Sequence, residues 1–148
     1  MNWKVLLLLV SLLLSGTILT QAQANFYQGD WPSLLNASEK REKIFFVDFY
    51  ADWCVPCKKM DTLVFSDKNV WEYINKHFIA YRMNIETNER GKELAFIHGI
   101  DNYPTVIFFN AKEEEVGRII GFTNKSKFLQ EMRKFGPQMA NMKYTKFR

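Results

Sequence analysis

The sequence predicts an α/β domain whose central mixed sheet is covered by helices on both faces, and three observations predict it. Nearly unbroken apolar runs rich in β-branched and aromatic residues recur at 44–51, 78–85 and 105–109, as strands buried on both faces require. Between them lie segments whose apolar residues fall three and four apart, so helices alternate with strands. A polar turn at 110–114 and a further strand-like stretch at 115–121 close the pattern with an antiparallel hairpin, which makes the sheet mixed.

Each element has its own signal. Residues 25–32 form an aromatic, irregular lead-in, and Ser33 is expected to cap a short helix through about Arg41. The first strand runs straight into Asp52-Trp53-Cys54-Val55-Pro56-Cys57, and residues 58–64 read as helix. Ser66-Asp67 caps a second helical stretch in which Val70, Trp71, Ile74 and Phe78 recur at three and four. After the second strand a helix over 88–97 stops at His98-Gly99. Thr123 or Asn124 caps the last helix, whose apolar positions are Phe128, Leu129, Met132 and Phe135, and Gly136-Pro137 ends it. This order leaves the cysteine pair at the C-terminal end of the first strand, where open α/β sheets place their chemistry.

The chain has 148 residues, 47% hydrophobic and 16% aromatic, enough for one domain with a true core and against a disordered or disulfide-stapled chain. Lys4, the run from Val5 to Leu14 broken only by Ser11, and Ala22-Gln23-Ala24 have the three parts of a secretory signal. Cleavage is expected near Ala24, giving a periplasmic or secreted protein; an uncleaved membrane anchor is the alternative. The expected divisions are a signal peptide at 1–24, a lead-in and short helix at 25–43, the main domain at 44–136 and a basic tail at 137–148. The net charge of +4 is concentrated toward the C-terminus, at Arg133, Lys134, Lys143, Lys146 and Arg148. A solubilising tail explains it better than nucleic-acid binding, for which no interleaved basic and aromatic face exists.

Two cysteines separated by two residues at a helix start can be a redox pair, half of a zinc site, or coincidence. Zinc needs four ligands, and His77 and His98 are neither paired nor spaced to complete a set, so no metal is expected. In the redox reading, the free N–H groups and dipole of the helix N-terminus favour a Cys54 thiolate. Cys57, one turn further in and expected to be more buried, would resolve the mixed disulfide that Cys54 forms. Pro56 sits in the first turn, where its missing N–H costs nothing. Asp48, inside the apolar strand, is expected to be desolvated with a raised pKa and to exchange the proton of Cys57; an Asp at a strand edge facing water is the other reading. A proline entering the third strand, in Tyr103-Pro104-Thr105, implies a special turn that a cis bond would suit.

With these residues in view, the chain resembles the thioredoxin family over nearly all of residues 44–135. Val47 to Lys58 is similar to its active-site segment, buried acid included, and Gly99 to Thr105 to its cis-proline loop, with Asn102 in place of thioredoxin's glycine. Arg82, Asn84 and Glu86 stand where thioredoxin's second strand carries a basic, an amide and an acidic residue, and Gly121 where the family has a glycine facing substrate. Within the family, Ala51-Asp52-Trp53-Cys54 with Val64-Phe65-Ser66-Asp67 most resembles the C-terminal periplasmic domain of DsbD, from which Pro56 departs. The resemblance implies the thioredoxin fold. It also implies a groove for an extended substrate formed by Trp53, Tyr103, Pro104 and Thr105 around the Val55-Pro56 turn.

The expected function is reduction of disulfides in exported proteins by the Cys54/Cys57 dithiol, as a monomer fed by a membrane or periplasmic electron donor. No bound cofactor is needed, because the cysteines carry both electrons. Reduction is favoured because Val55-Pro56 offers no cation to stabilise a thiolate. Oxidation or isomerisation, cytochrome c maturation, and a non-catalytic binding module or metal chaperone are the alternatives.

Overall fold

A computed structural model describes residues 25–136. The expected signal sequence and basic tail lie outside the described residues. Helix α1 spans Trp31–Arg41, β1 Phe45–Tyr50 and α2 Val55–Met60. A π-helical turn at Asp61–Phe65 leads to α3, Lys68–His77. Then come β2 Ile79–Asn84, α4 Glu89–Ile97, β3 Thr105–Phe109, β4 Glu115–Ile120 and α5 Lys125–Phe135. The sheet order is β2-β1-β3-β4; β1 and β2 are parallel, and β3 is antiparallel to both of its neighbours.

The side-chain alternation of β1 divides the core. Phe45, Val47 and Phe49 meet Leu34 of α1 and Leu94 of α4 on one face. Phe46 faces Met60, Val64, Phe65, Val70, Ile74, Phe128 and Met132 on the other. Phe45, Phe46, Phe49, Phe108, Phe109 and Phe128 are fully buried, each contributing about 1.5–3 kcal/mol of transfer free energy. Asp48 belongs to the second set by periodicity, so its carboxylate is carried to the α2 side.

Two local expectations are corrected. Asp30, not Ser33, caps α1: its carboxylate accepts from the Ser33 N–H at 3.0 Å, while the Ser33 hydroxyl donates to the Asp30 carbonyl at 2.8 Å. The helix thus begins two residues before Ser33, because Pro32 in the first turn needs no N–H. The helix expected over 58–64 is α-helical only to Met60 and then widens, the Ser66 N–H donating to the Asp61 carbonyl five residues back at 3.1 Å. The extra residue buries both Val64 and Phe65 while Asp61 stays beside Arg82. The caps on α3 and α5 fall as read, at Asp67 and Asn124, whereas Asn88, expected as the first residue of α4, is its N-cap. Gly99, at a φ of +59°, ends α4.

Packing of α5 on the sheet depends on a missing side chain. A Cβ on Gly117 of β4 would run into the ring of Phe135, itself packed at a tilt 4.6 Å from Phe108. Gly117→Ala is therefore expected to destabilise the fold by roughly 1–3 kcal/mol, read as a lowered thermal midpoint. An unchanged midpoint would mean that Phe135 swings aside freely.

Candidate active site

The turn after β1 is built from backbone and polar contacts. The Cys54 N–H donates to the Ala51 carbonyl at 3.1 Å, and Cys54 becomes the N-cap of α2. Its sulfur accepts from the Cys57 N–H at 3.1 Å, the usual role of an N-cap side chain taken by Sγ. Cys54 and Cys57 are joined as a disulfide, with their Cα atoms 5.3 Å apart. Both are 2% exposed, so the expected difference in burial is absent; helix geometry, not exposure, distinguishes them. Only Cys54 has its sulfur at the cap, where an N–H and the helix dipole would stabilise a thiolate.

Asp48 is 1% exposed, which rules out the water-facing edge position. Its register partner on β2 is Arg82, whose Nε lies 3.0 Å from Asp48 Oδ2 and whose second guanidinium nitrogen lies 2.9 Å from Asp61 Oδ1. The contact to Asp48 is an ion pair whose angles fall short of a well-aligned hydrogen bond. The guanidinium also lies over Tyr50 and Phe26, 4.4 and 4.8 Å from their ring centroids. Burial pushes Asp48 up to about 6; Arg82 pulls it back in part, and the negative charge of Asp61 adds to the rise.

A second polar set holds the turn. The Asn84 amide donates to Asp52 at 2.9 Å, Glu86 accepts from the Trp53 indole N–H at 3.0 Å and from the Asp52 N–H at 3.3 Å, and Asn84 accepts from the Glu86 N–H at 2.9 Å. Trp53 is thereby tethered although 62% exposed. Its ring meets Tyr103 edge-on at 6.1 Å, and Tyr103 and Tyr50 pack against the buried cysteines. The Tyr103–Pro104 bond is cis, Pro104 is buried, and its carbonyl accepts from the Gly121 N–H at 2.7 Å. Val55, between the cysteines, and Phe122, next to Gly121, are exposed.

Of the residues singled out from sequence, Cys54, Cys57, Trp53, Val55, Pro56, Tyr103 and Pro104 lie in or beside this turn and the loop facing it. Thr105 does not face a groove: it is 2% exposed, and its hydroxyl donates to the Asn102 carbonyl at 2.7 Å, shaping the proline loop from inside. Sequence reasoning missed Asp61. Its signal was an acid four residues after Cys57, the spacing that stacks side chains on one helix face. Arg82, Asn84 and Glu86 were placed by resemblance alone; their two-residue spacing in an apolar segment was the cue that they share one face.

Fold and site together define a thioredoxin-fold protein with a cysteine pair at the head of its first sheet helix. The chain belongs to the thioredoxin-like domain family, whose model matches residues 32–136 and so takes in α1. It is 34% identical over 100 residues to the thiol:disulfide interchange protein DsbD of Tatumella citrea, a match covering 66% of this chain. The chain spans 17% of that relative's length. Among solved structures, a candidate disulphide-isomerase from Bacteroides thetaiotaomicron is 35% identical, with a TM-score of 0.69 and coverage of 77% of this chain and 94% of the other. The DsbD C-terminal domain of Neisseria meningitidis in its oxidised form shares the fold at 20% identity and a TM-score of 0.60, over 70% of this chain and 90% of the other.

Proposed function

We propose that this protein is an exported thiol:disulfide oxidoreductase that reduces disulfides in periplasmic or secreted proteins. The observation that carries the reading is the disulfide at the N-cap of α2, with the Cys57 N–H on the Cys54 sulfur and a buried carboxylate of raised pKa on the adjoining strand. In the reduced protein the Cys54 thiolate attacks one sulfur of a substrate disulfide, forming a mixed disulfide and releasing the other sulfur as a thiolate. The Cys57 thiol passes its proton to Asp48 and attacks Cys54 Sγ. That breaks the mixed disulfide, frees the second substrate thiol and leaves the Cys54–Cys57 disulfide. Two electrons have passed to the substrate, and an electron donor restores the dithiol. Trp53, Tyr103 and the Pro104 loop supply the surface for an extended substrate segment.

The direction rests on charge. No cation stands between the cysteines, where Val55 and Pro56 lie, and Arg82, the cation against Asp48, is shared with Asp61. That disfavours a thiolate, destabilises the reduced form relative to an oxidant's, and makes the pair a reductant. The similarity to a candidate disulphide-isomerase favours isomerisation as the second reading. Titration of the pair against defined thiol and disulfide buffers separates them. A potential near about −270 mV is expected of a reductase, and one between about −120 and −180 mV would make the protein an oxidase or isomerase instead.

A further inference from the structure

The β3–β4 ladder is irregular: Phe109 pairs with Glu115 and Phe108 with Gly117, so Val116 is an extra residue on β4. In a regular strand, residues three apart point to opposite faces. The bulge reverses that relation and brings Glu115 and Arg118 together on one side. Arg118 grips Glu115 with two hydrogen bonds of 2.6 Å, from Nε to Oε1 and from its terminal nitrogen to Oε2. This fork-to-fork pairing fixes the guanidinium plane. The third arm of Arg118 donates to the backbone carbonyl of His98 at 3.0 Å, and His98 Nδ1 lies 3.0 Å from Glu115 Oε2. His98 also stands edge-on to Phe109 at 5.1 Å.

His98 is the C-cap of α4, and the proline loop starts at the next residue. The carbonyl that Arg118 holds belongs to the last turn of the helix, where carbonyls lack intrahelical partners. After it, Gly99 turns left-handed, its N–H and that of Ile100 return to Phe96 and Ala95, and five residues later the chain is at Pro104 opposite the disulfide. The far end of the loop is fixed by β3 and by the Gly121 N–H on the Pro104 carbonyl. All three cluster residues are less than one-third exposed, so these contacts act in a partly desolvated setting.

We infer that the bulge-assembled Arg118–Glu115–His98 cluster is a positioning clamp for the Tyr103–Pro104 loop, and that it governs capture of polypeptide substrates without touching the reacting sulfurs. The inference rests on the oxidoreductase reading for its kinetic consequence. A polypeptide must lie along the loop, so displacement of the loop raises its KM. A small disulfide meets only the cysteine pair and is indifferent to the loop. Arg118→Met keeps the stem and removes all three hydrogen bonds, whereas Arg118→Lys keeps the charge and loses the fork.

The test compares insulin with a small aromatic disulfide, 5,5′-dithiobis(2-nitrobenzoate), as oxidants of the reduced protein. For Arg118→Met, KM for insulin is expected to rise roughly tenfold with kcat nearly unchanged, and turnover of the small disulfide to stay at the parent value. Arg118→Lys is expected to recover only part of the insulin KM. In parallel, hydrogen exchange at the Gly99 and Ile100 amides should quicken in Arg118→Met while β1 amides keep their protection. Unaltered insulin KM in a folded Arg118→Met protein, or equal loss with both substrates in step with lost stability, would overturn the clamp. If the parent protein turns over neither substrate, the oxidoreductase reading fails, and the amide exchange still decides whether Arg118 holds the loop.

Discussion

Replacing Cys54 with serine is expected to abolish disulfide reduction, a loss of at least about a thousandfold, because serine's hydroxyl neither ionises near neutral pH nor forms the mixed disulfide. Cys57→Ser should behave differently. Cys54 keeps its cap position, loses its resolving partner and accumulates covalent mixed disulfides with substrate, visible as adducts on a non-reducing gel and released by dithiothreitol. The asymmetry follows from the site: the Cys57 N–H points at Cys54 Sγ, and not the reverse. If Cys54→Ser accumulated the adducts and Cys57→Ser lost turnover without trapping, the two roles would have to be exchanged.

The second large effect concerns Asp48. Burial lifts its pKa from 3.8 to about 6, so the protonated form is favoured in the folded protein. Its contribution to stability is thus full below about pH 3.8 and is lost as pH rises through about 6. The shift corresponds to about 3 kcal/mol at neutral pH and above, what is left of the burial penalty after the opposing pull of Arg82. Asp48→Asn is expected to flatten the dependence of thermal midpoint on pH between about 4 and 7 and to raise the midpoint at pH 8. Activity should move the opposite way: without a base for the Cys57 proton, resolution slows by about 10²–10⁴-fold, and the rise in rate through about pH 6 disappears. A variant with the parent's pH–rate profile would remove Asp48 from proton transfer and leave it a structural carboxylate.

Much of this molecule was legible because its signals are local. The apolar runs at 44–51 and 105–109 are buried strands, the run at 78–85 is a strand at the sheet edge with Tyr81, Arg82 and Asn84 half-buried, and Asp67, Asn88 and Asn124 bond to N–H groups two or three residues away. The cysteine pair was legible for the same reason: two residues of spacing and a following helix suffice. Ser33 misled because Asp30 and Ser33 are both good caps, and only the packing of Trp31 against Phe45 and Phe109 shows where the helix must begin. The wide turn after Met60 was not legible, since its cause is the simultaneous burial of Val64 and Phe65 with Asp61 held at Arg82.

The sequence by itself determined the elements, their order, the cysteine pair at the end of β1 and a carboxylate inside that strand, because backbone propensity and the two periodicities act over a few residues. Only the tertiary structure decided what surrounds the pair. Arg82 reaches Asp48 through strand pairing and Asp61 across the helix packed on it, Glu86 holds Trp53 from 33 residues away, and Arg118 holds the last turn of α4 across a bulge. These contacts join residues distant along the chain. Their energies depend on burial and on the geometry of charged groups at about 3 Å, and both are set when the sheet and its helices close together.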